Sequence, residues 1–200
     1  MATLMFFDQE HKYTLDGEDL PSVSELCRFL SREIYGDISQ WRLDNAAQRG
    51  TSVHKTLEVL DKYGKADVQD DILPYVQAYL KFRQEHTVEW NRIEYALHHP
   101  QDRYAGTIDR YGTVDGLTAL LDFKTSYTVH KPLCAASLNL YRRMLEFSGV
   151  SVERLYILHL LNDGTYKLIP FTADDALPSA LLTLHNTLKK KARKPKCPKN

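Results

Sequence analysis

The feature that most constrains the fold is the pair Asp115-Gly116, which lies between two runs of residues with β-strand character. Asp-Gly between alternating apolar residues is a strong signal for a β-hairpin with a two-residue turn. If these two residues form the centre of the turn, the register places Asp109 directly opposite Asp122. We therefore expect two carboxylates to meet across a pair of antiparallel strands.

The same register predicts what each face of the hairpin carries. Side chains alternate along a strand, so Lys124 lies on the face that carries Asp122. Leu121 and Phe123 face the other way, and so does Ile108 on the opposite strand. One face is thus expected to carry charged groups, and the other to be apolar and buried.

Two opposed carboxylates require a partner of positive charge. Such residues lie about 5 Å apart at Cβ, and like charges placed so are destabilising. At an effective dielectric constant of about 20, the repulsion is about 3 kcal/mol. A divalent cation held by Asp109 and Asp122 would remove it, and oxygen ligands suit Mg²⁺ or Mn²⁺. The alternatives are that Lys124 and nearby arginines neutralise an ordinary hairpin, or that the register differs.

A second group of candidate residues comes earlier in the chain. A helix is predicted to begin after Gly50, with Thr51 or Ser52 as its N-cap and apolar residues at helical spacing behind them. His54 and Glu58 are four residues apart and share a face. His54 is either an ordinary boundary residue or a metal ligand. Glu58 is either a charge partner of neighbouring lysines or an outer-shell carboxylate of a metal site.

The wider pattern of the chain predicts an α+β fold, with a central mixed β-sheet flanked by helices. Glu94, on the strand that precedes Asp109, is a further candidate for an outer-shell carboxylate. The main predicted elements are a helix over 70–86, strands over 87–98, 104–113 and 118–125, a helix over 132–147, and strands over 152–161 and 165–171.

Four motifs occur in a characteristic order along the chain. They are Gly50…His54…Glu58, Gly106-Thr-Ile-Asp109, Asp122-Phe-Lys124-Thr-Ser and Leu138-Asn-Leu-Tyr141. Their order and spacing resemble the PD-(D/E)XK nuclease superfamily, and above all its RecB-like and phage-exonuclease branch. The resemblance extends from Pro21 to about Tyr141, which is most of the chain. It implies a restriction-endonuclease-like core.

The resemblance also implies roles for individual residues. Asp109 and Asp122 would bind the metal together with the backbone carbonyl of Phe123, and His54 would be an additional ligand. Lys124 matches the lysine that orients or activates the attacking water. The implied cofactor is Mg²⁺ or Mn²⁺, and the softer imidazole of His54 would favour Mn²⁺ somewhat.

The fourth motif implies contacts with the substrate. We expect Tyr141, with Arg142 beside it, to lie on the substrate side of its helix. The alternative is that Tyr141 packs in the core and exposes only its hydroxyl. The family usually has a glutamine four residues before this tyrosine, whereas Ser137 stands here. Contacts made from the position of Ser137 are therefore open.

The function that the resemblance implies is divalent-metal-dependent hydrolysis of phosphodiester bonds in DNA. A RecB-like or phage-type exonuclease in recombination or repair is the expected subtype, with DNA and a recombination protein as partners. The first alternative is a non-catalytic nucleic-acid-binding module that retains the nuclease fold. The second is a structural or interaction protein in which the motif is fortuitous.

Composition limits the remaining possibilities. With 200 residues, 43% of them hydrophobic, the chain suits one domain over residues 1–200. It has no apolar run of membrane length and no basic-then-apolar start, so we expect a cytoplasmic protein without a membrane partner. Cys27, Cys134 and Cys197 include no CxxC pair. They are too few for the four-cysteine iron–sulfur cluster of some relatives, so no such cluster is expected.

The net charge is zero, but the charge is unevenly distributed. Residues 189–200 contain seven lysines and arginines and no acidic residue, which leaves residues 1–188 with 19 basic and 26 acidic residues, a net charge of −7. This pattern predicts a flexible basic tail. The tail could bind phosphates as an arm, or it could be a solvated end of the chain.

Overall fold

The computed structural model describes residues 3–7 and 12–192, with side chains up to residue 190. Within these ranges the chain forms both strands and helices. The strands are β1 (Leu4–Phe7), β2 (Lys12–Leu15), β3 (Glu18–Leu20), β4 (Val88–His99), β5 (Tyr104–Val114), β6 (Leu117–Lys124), β7 (Arg154–Leu160) and β8 (Tyr166–Phe171). The helices are α1 (Val23–Leu26), α2 (Arg28–Tyr35), α3 (Gln40–Tyr63), α4 (Leu73–Glu85), α5 (Lys131–Phe147) and α6 (Ala176–Ala192).

The central sheet has five strands in the order β4-β5-β6-β7-β8. Among these five described strands only the β6–β7 pair is parallel, and helix α5 makes the crossover between these two strands. Such a crossover is needed because parallel neighbours cannot be joined by a tight turn. Helices α3 and α4 pack on one face of the sheet, and α1, α5 and α6 pack on the other. The predicted α+β class, with a mixed central sheet flanked by helices, is confirmed.

A smaller sheet of three strands, β1-β2-β3, lies beside the end of β4 and β5. Its buried residues, Tyr13 and Leu20, pack against Ala105 of β5. The hydroxyl of Tyr13 also shares a hydrogen bond of 2.9 Å with Thr107 Oγ1. These contacts attach the small sheet next to the centre of β5, where Asp109 lies.

Helix α3 runs without interruption from Gln40 to Tyr63. The prediction that a helix begins after Gly50, with Thr51 or Ser52 as its cap, is therefore wrong. Glycine in a helix interior costs about 1 kcal/mol relative to alanine, which a long packed helix tolerates. The helix ends at Gly64, whose φ of 74° is left-handed and suits glycine.

The hairpin between β5 and β6 forms as predicted. Asp115-Gly116 is the turn, and both residues have positive φ, 51° and 81°, as a type I′ turn requires. Val114 pairs with Leu117, and the register continues without a shift to the pair Arg110 and Leu121. The next position in this register is the row of Asp109 and Asp122.

The predicted alternation of side chains fails at this row. Phe123 packs in the cluster under α3 and α4, whereas Ile108 packs in the cluster under α1 and α5, so they do not share a face as predicted. The β5–β6 ladder ends after Arg110, and the N–H of Phe123 donates to the side chain of Asp109 (2.7 Å). On the other side of β5, Glu94 has a left-handed φ of 45° within β4. The strands thus separate and change facing where the charged residues lie.

Two further expectations concern the rest of the chain. Over the ranges that the structure describes, no helix is long and apolar enough to cross a membrane. The basic tail begins in α6, which extends to Ala192. Residues 193–200 lie outside the described residues, so the prediction of a phosphate-binding or flexible tail stays a prediction.

Candidate metal centre

Three side chains from three elements converge beside the point where β5 and β6 separate. They are His54 of α3, Glu94 of β4 and Asp109 of β5. The Nδ1 atom of His54 lies 3.5 Å from Asp109 Oδ2 and 3.9 Å from Glu94 Oε1. One ligand atom from each residue lies within 4.8 Å of the others. This spacing allows all three to contact a single cation.

The donor set fits a divalent cation such as Mg²⁺ or Mn²⁺. It offers one imidazole nitrogen and two carboxylates, and three protein ligands leave octahedral positions for water and substrate oxygens. Burial and the charge of Asp109 raise the pKa of Glu94 from its ordinary 4.5 to about 7. Burial acts against ionisation of Asp109 too, but His54, Lys124 and the N–H of Phe123 keep its pKa low. A cation would relieve the crowding of these carboxylates.

The direction of the Glu94 side chain depends on an unusual backbone conformation. Its φ of 45° is left-handed, which costs on the order of 1 kcal/mol or more for a residue other than glycine. Arg110 donates from Nη1 to Glu94 Oε1 at 3.1 Å. The conformation thus turns a strand residue toward the ligand group instead of following the regular alternation of β4.

Arg110 is the centre of a buried network that supports the ligands. Its side chain is inaccessible to solvent, and its Cζ lies 4.9 Å from the centre of the Phe123 ring. It donates from Nε to Asp61 Oδ2 (2.7 Å) and from Nη1 to the backbone oxygen of Asp109 (2.6 Å). Asp61 also accepts from the hydroxyl of Tyr79 at 2.7 Å. The network therefore ties α3 to β5.

Neither Asp61 nor Arg110 was among the residues expected at the site. A signal for them exists in the sequence, because an arginine beside Asp109 on a buried strand needs an acidic partner. Asp61 follows His54 by seven residues, two helical turns, and so lies on the same side of α3.

Lys124 and Asp122 form an ion pair beside the ligand group. Lys124 Nζ donates to Asp122 Oδ2 and, at 3.2 Å, to the backbone oxygen of Phe123. Burial would lower the pKa of Lys124, but the charges of Asp122 and Asp109 raise it above its ordinary value. Burial raises the pKa of Asp122, against the opposing effect of Lys124. The structure thus places Lys124 on the face of Asp122, as predicted, and keeps it an ammonium ion at neutral pH.

The structure does not bring Asp122 into the group of three ligand atoms. Its carboxylate is engaged by Lys124, and the oxygen of Phe123 accepts from the same ammonium group. That Asp122 and Phe123 bind the metal stays a prediction. Glu94, expected only as an outer-shell carboxylate, lies as close to His54 as a direct ligand would.

Tyr141 lies in the wall of a cavity of about 490 Å³ that opens onto the three ligands. Burial, together with the charges of Asp122 and Asp109, holds the pKa of its phenol well above the usual range. A Cβ at Gly106 would lie 2.6 Å from Tyr141 Cε1, so glycine makes room for this ring. Tyr141 is therefore packed among other residues, which is the alternative to the expected position on the substrate side, and it also borders the cavity.

The other residues predicted to contact substrate have internal partners. Ser137 donates to the carbonyl of Cys134 within α5 at 3.1 Å. Arg142 is buried and donates to Glu146 (2.8 Å) and to Asp175. Neither Ser137 nor Arg142 lines the cavity. The geometry gives both of them structural roles, and their contact with substrate stays a prediction without support from their position.

Glu58 lines the cavity but lies outside the ligand group. It accepts from Lys55 at 2.9 Å and from Lys62 at 2.7 Å. The role as charge partner of lysines is thus present, and the outer-shell role stays a prediction.

Comparison with known proteins gives only a coarse likeness. The sequence matches no family model and no curated protein. Among solved structures, SSO0001 is similar at 13% identity and a TM-score of 0.46, over 88% of this chain and 77% of that one. LHK-Exo in complex with dAMP is similar at 14% identity and a TM-score of 0.41, over 86% of this chain and 93% of that one. The alkaline exonuclease LHK-Exo from Laribacter hongkongensis is similar at 16% identity and a TM-score of 0.37, over 73% and 91%.

Proposed function

We propose that this chain is a divalent-metal-dependent nuclease that hydrolyses phosphodiester bonds in DNA. The observation that carries the proposal is the convergence of His54, Glu94 and Asp109, with ligand atoms within 4.8 Å of one another. The ammonium of Lys124 on the adjacent strand supports it, since phosphoryl chemistry needs positive charge beside the metal. The order of the sequence motifs, which resembles PD-(D/E)XK nucleases, also supports it.

The roles of the residues follow from their positions. His54, Glu94 and Asp109 would hold the cation, which when bound would act as a Lewis acid and lower the pKa of coordinated water. The raised pKa of Lys124 makes it a poor general base, because it stays protonated at neutral pH. We therefore assign Lys124 to the orientation of water and the stabilisation of charge on the phosphate. We also propose Asp122 as a ligand that Lys124 releases when the metal binds.

The direct test is cleavage of DNA by the purified protein with Mg²⁺, with Mn²⁺ or with a chelator. We expect metal-dependent loss of DNA, and loss of that activity in Asp109→Asn. The matched control is Asp70→Asn, because Asp70 is exposed and lies in the connection before α4. Tight binding of DNA without cleavage in any metal would support a non-catalytic binding module instead.

Within this class, we propose an exonuclease of the RecB-like or phage type, acting in recombination or repair with either Mg²⁺ or Mn²⁺. Support for this finer assignment comes from the four motifs. Linear DNA should be degraded while covalently closed circular DNA of the same sequence survives. Cleavage of the circle at a comparable rate would contradict the exonuclease assignment and leave the nuclease assignment intact.

The imidazole of His54 is the basis for a preference between metals. We propose that His54 favours Mn²⁺ over Mg²⁺, because nitrogen is a softer donor than carboxylate oxygen. Calorimetric titration of wild type and His54→Ala with each metal tests this without relying on turnover. The variant should lose more affinity for Mn²⁺ than for Mg²⁺, and equal losses would contradict the idea.

A further inference from the structure

The cavity beside the metal ligands is formed by two different sheets. One wall carries the ligands His54, Glu94 and Asp109, and the facing wall belongs to the small N-terminal sheet. From that sheet, Phe6 of β1 and Tyr13 of β2 border the cavity. A group that enters the cavity therefore lies between the candidate metal centre and the ring of Phe6, which the buried Tyr13 backs.

The size of the cavity limits what can enter it. Its volume is about 490 Å³, which equals that of a sphere about 10 Å across. The major and minor grooves of B-DNA are about 8.5 Å and about 7.5 Å deep, so a duplex is at least about 16 Å across and a base-paired end does not fit inside. Small-molecule sites commonly enclose about 300–1,000 Å³, which is the range for a ligand of the size of one nucleotide.

The aromatic wall suits a nucleobase. The rings of Phe6 and Tyr13 are stacked, with centroids 4.6 Å apart and planes inclined by 24°. The hydrogen bond between the hydroxyl of Tyr13 and Thr107 Oγ1 fixes this pair to β5, two residues from Asp109. Aromatic side chains beside a strand of nucleic acid bind bases through their π-faces, whatever the sequence. Thr51, on the α3 side of the cavity, adds a hydroxyl that can donate to a phosphate.

We infer that this cavity is the subsite for one unpaired nucleotide, with its base toward Phe6, which Tyr13 backs, and its phosphate toward the metal ligands. The inference rests on the proposed nuclease function and adds the substrate class, which is a single-stranded or unpaired DNA end. A duplex end would have to separate before its terminal nucleotide entered the cavity.

The first experiment compares cleavage of three labelled substrates with the same sequence. They are a single strand, a blunt duplex and a duplex with a four-nucleotide single-stranded overhang. We expect the single strand and the overhang to be cleaved at least about 10-fold faster than the blunt duplex. Equal rates on single-stranded and blunt double-stranded DNA would overturn the inference while the nuclease proposal stood.

The second experiment uses two neighbouring phenylalanines as a matched pair. Phe6→Leu keeps apolar volume for folding but removes the ring, and Phe7→Leu makes the same change on a residue that does not line the cavity. Stacking on an aromatic ring is worth about 1–3 kcal/mol per base, which corresponds to about 5- to 150-fold in affinity. We expect Phe6→Leu to lower kcat/KM on the single strand by at least about 5-fold, and Phe7→Leu by less than 2-fold.

A binding measurement separates the two proposals. An oligonucleotide with 2-aminopurine at its end, added in Ca²⁺ to suppress turnover, reports stacking of the terminal base through its fluorescence. Quenching by wild type and Phe7→Leu but not by Phe6→Leu would support the subsite even if no DNA is cleaved in Mg²⁺ or Mn²⁺. Identical fluorescence with Phe6→Leu and wild type would overturn it, whatever the cleavage assay shows.

Discussion

Replacement of Glu94 by glutamine should change stability and metal binding in opposite directions. Glutamine removes a buried negative charge beside Asp109 and keeps a carbonyl oxygen that can accept from Arg110, which now donates to Glu94 at 3.1 Å. The metal-free protein should therefore become more stable. The cation site should lose a charged ligand and bind metal at least about 10-fold more weakly.

The size of the gain follows from the pKa of Glu94. A rise from 4.5 in the unfolded chain to about 7 in the fold corresponds to about 3 kcal/mol at a pH above both values. This contribution of Glu94 destabilises the fold. Between pH 4.5 and about 7 the folded state still holds a proton that the unfolded chain has released, so stability falls as the pH rises through this range. For a chain of this length, removing the penalty at pH 8 would raise Tm by about 6–12 °C. The gain should shrink as the pH falls from about 7 toward 4.5, where wild-type Glu94 is protonated in both states.

The assay is thermal and urea unfolding of wild type and Glu94→Gln with a chelator, at pH 8 and at pH 5.5, together with calorimetric titration of Mn²⁺. The control is Glu89→Gln, an exposed residue of the same strand, which should change stability by less than about 0.5 kcal/mol. The reasoning is refuted if Glu94→Gln destabilises the metal-free protein equally at both pH values, or if Mn²⁺ binds it as tightly as wild type.

Three other outcomes follow from the same geometry. The affinity of wild type for Mn²⁺ should increase as the pH rises through about 7, because Glu94 must lose its proton to bind; calorimetry that shows no change between pH 6 and 8 would contradict this. Lys124→Met should lower kcat by at least about 100-fold and leave the Kd for metal within about 3-fold, and parallel losses in the two measurements would contradict its assigned role. Gly106→Ala should destabilise by about 1–3 kcal/mol, because its Cβ would lie 2.6 Å from Tyr141 Cε1. Gly50→Ala should instead stabilise by up to about 1 kcal/mol, because its Cβ would make only an ordinary contact of 3.9 Å with Thr125 Oγ1 inside a helix. Equal changes in urea midpoint for these two glycine variants would show that the packing argument is wrong.

The parts of the fold that could be predicted from the sequence are governed by local chemistry. The turn at Asp115-Gly116 needs two residues that tolerate positive φ, and this requirement determines the register of β5 against β6. That register holds up to the pair Arg110 and Leu121, so it brings Asp109 and Lys124 to the end of the ladder, although the ladder does not continue to them. The central strands and α5 follow in the same way from runs of apolar residues with clear boundaries.

The parts that could not be predicted depend on contacts between distant segments. The left-handed conformation of Glu94 arises inside a strand, where no local signal indicates it, and it moves Glu94 from a supposed outer shell into the ligand group. Ile108 changes face because β5 and β6 separate beyond Arg110. A helix was expected to begin only after Gly50, since local propensity does not include the tertiary packing that stabilises α3 through this residue.

The bond between Asp61 and Arg110 has a consequence for selectivity among ions. Asp61 shares a helix with His54, and Arg110 adjoins Asp109, so this bond sets the distance between two ligand-bearing elements during folding. The ligand side chains then lose conformational entropy when the protein folds, so metal binding costs little further conformational entropy. Ligand atoms that are held in place before binding cannot easily change their spacing to fit an ion of a different radius. Discrimination against larger cations such as Ca²⁺ would then arise from the stiffness of the scaffold, in addition to the identity of the donor atoms.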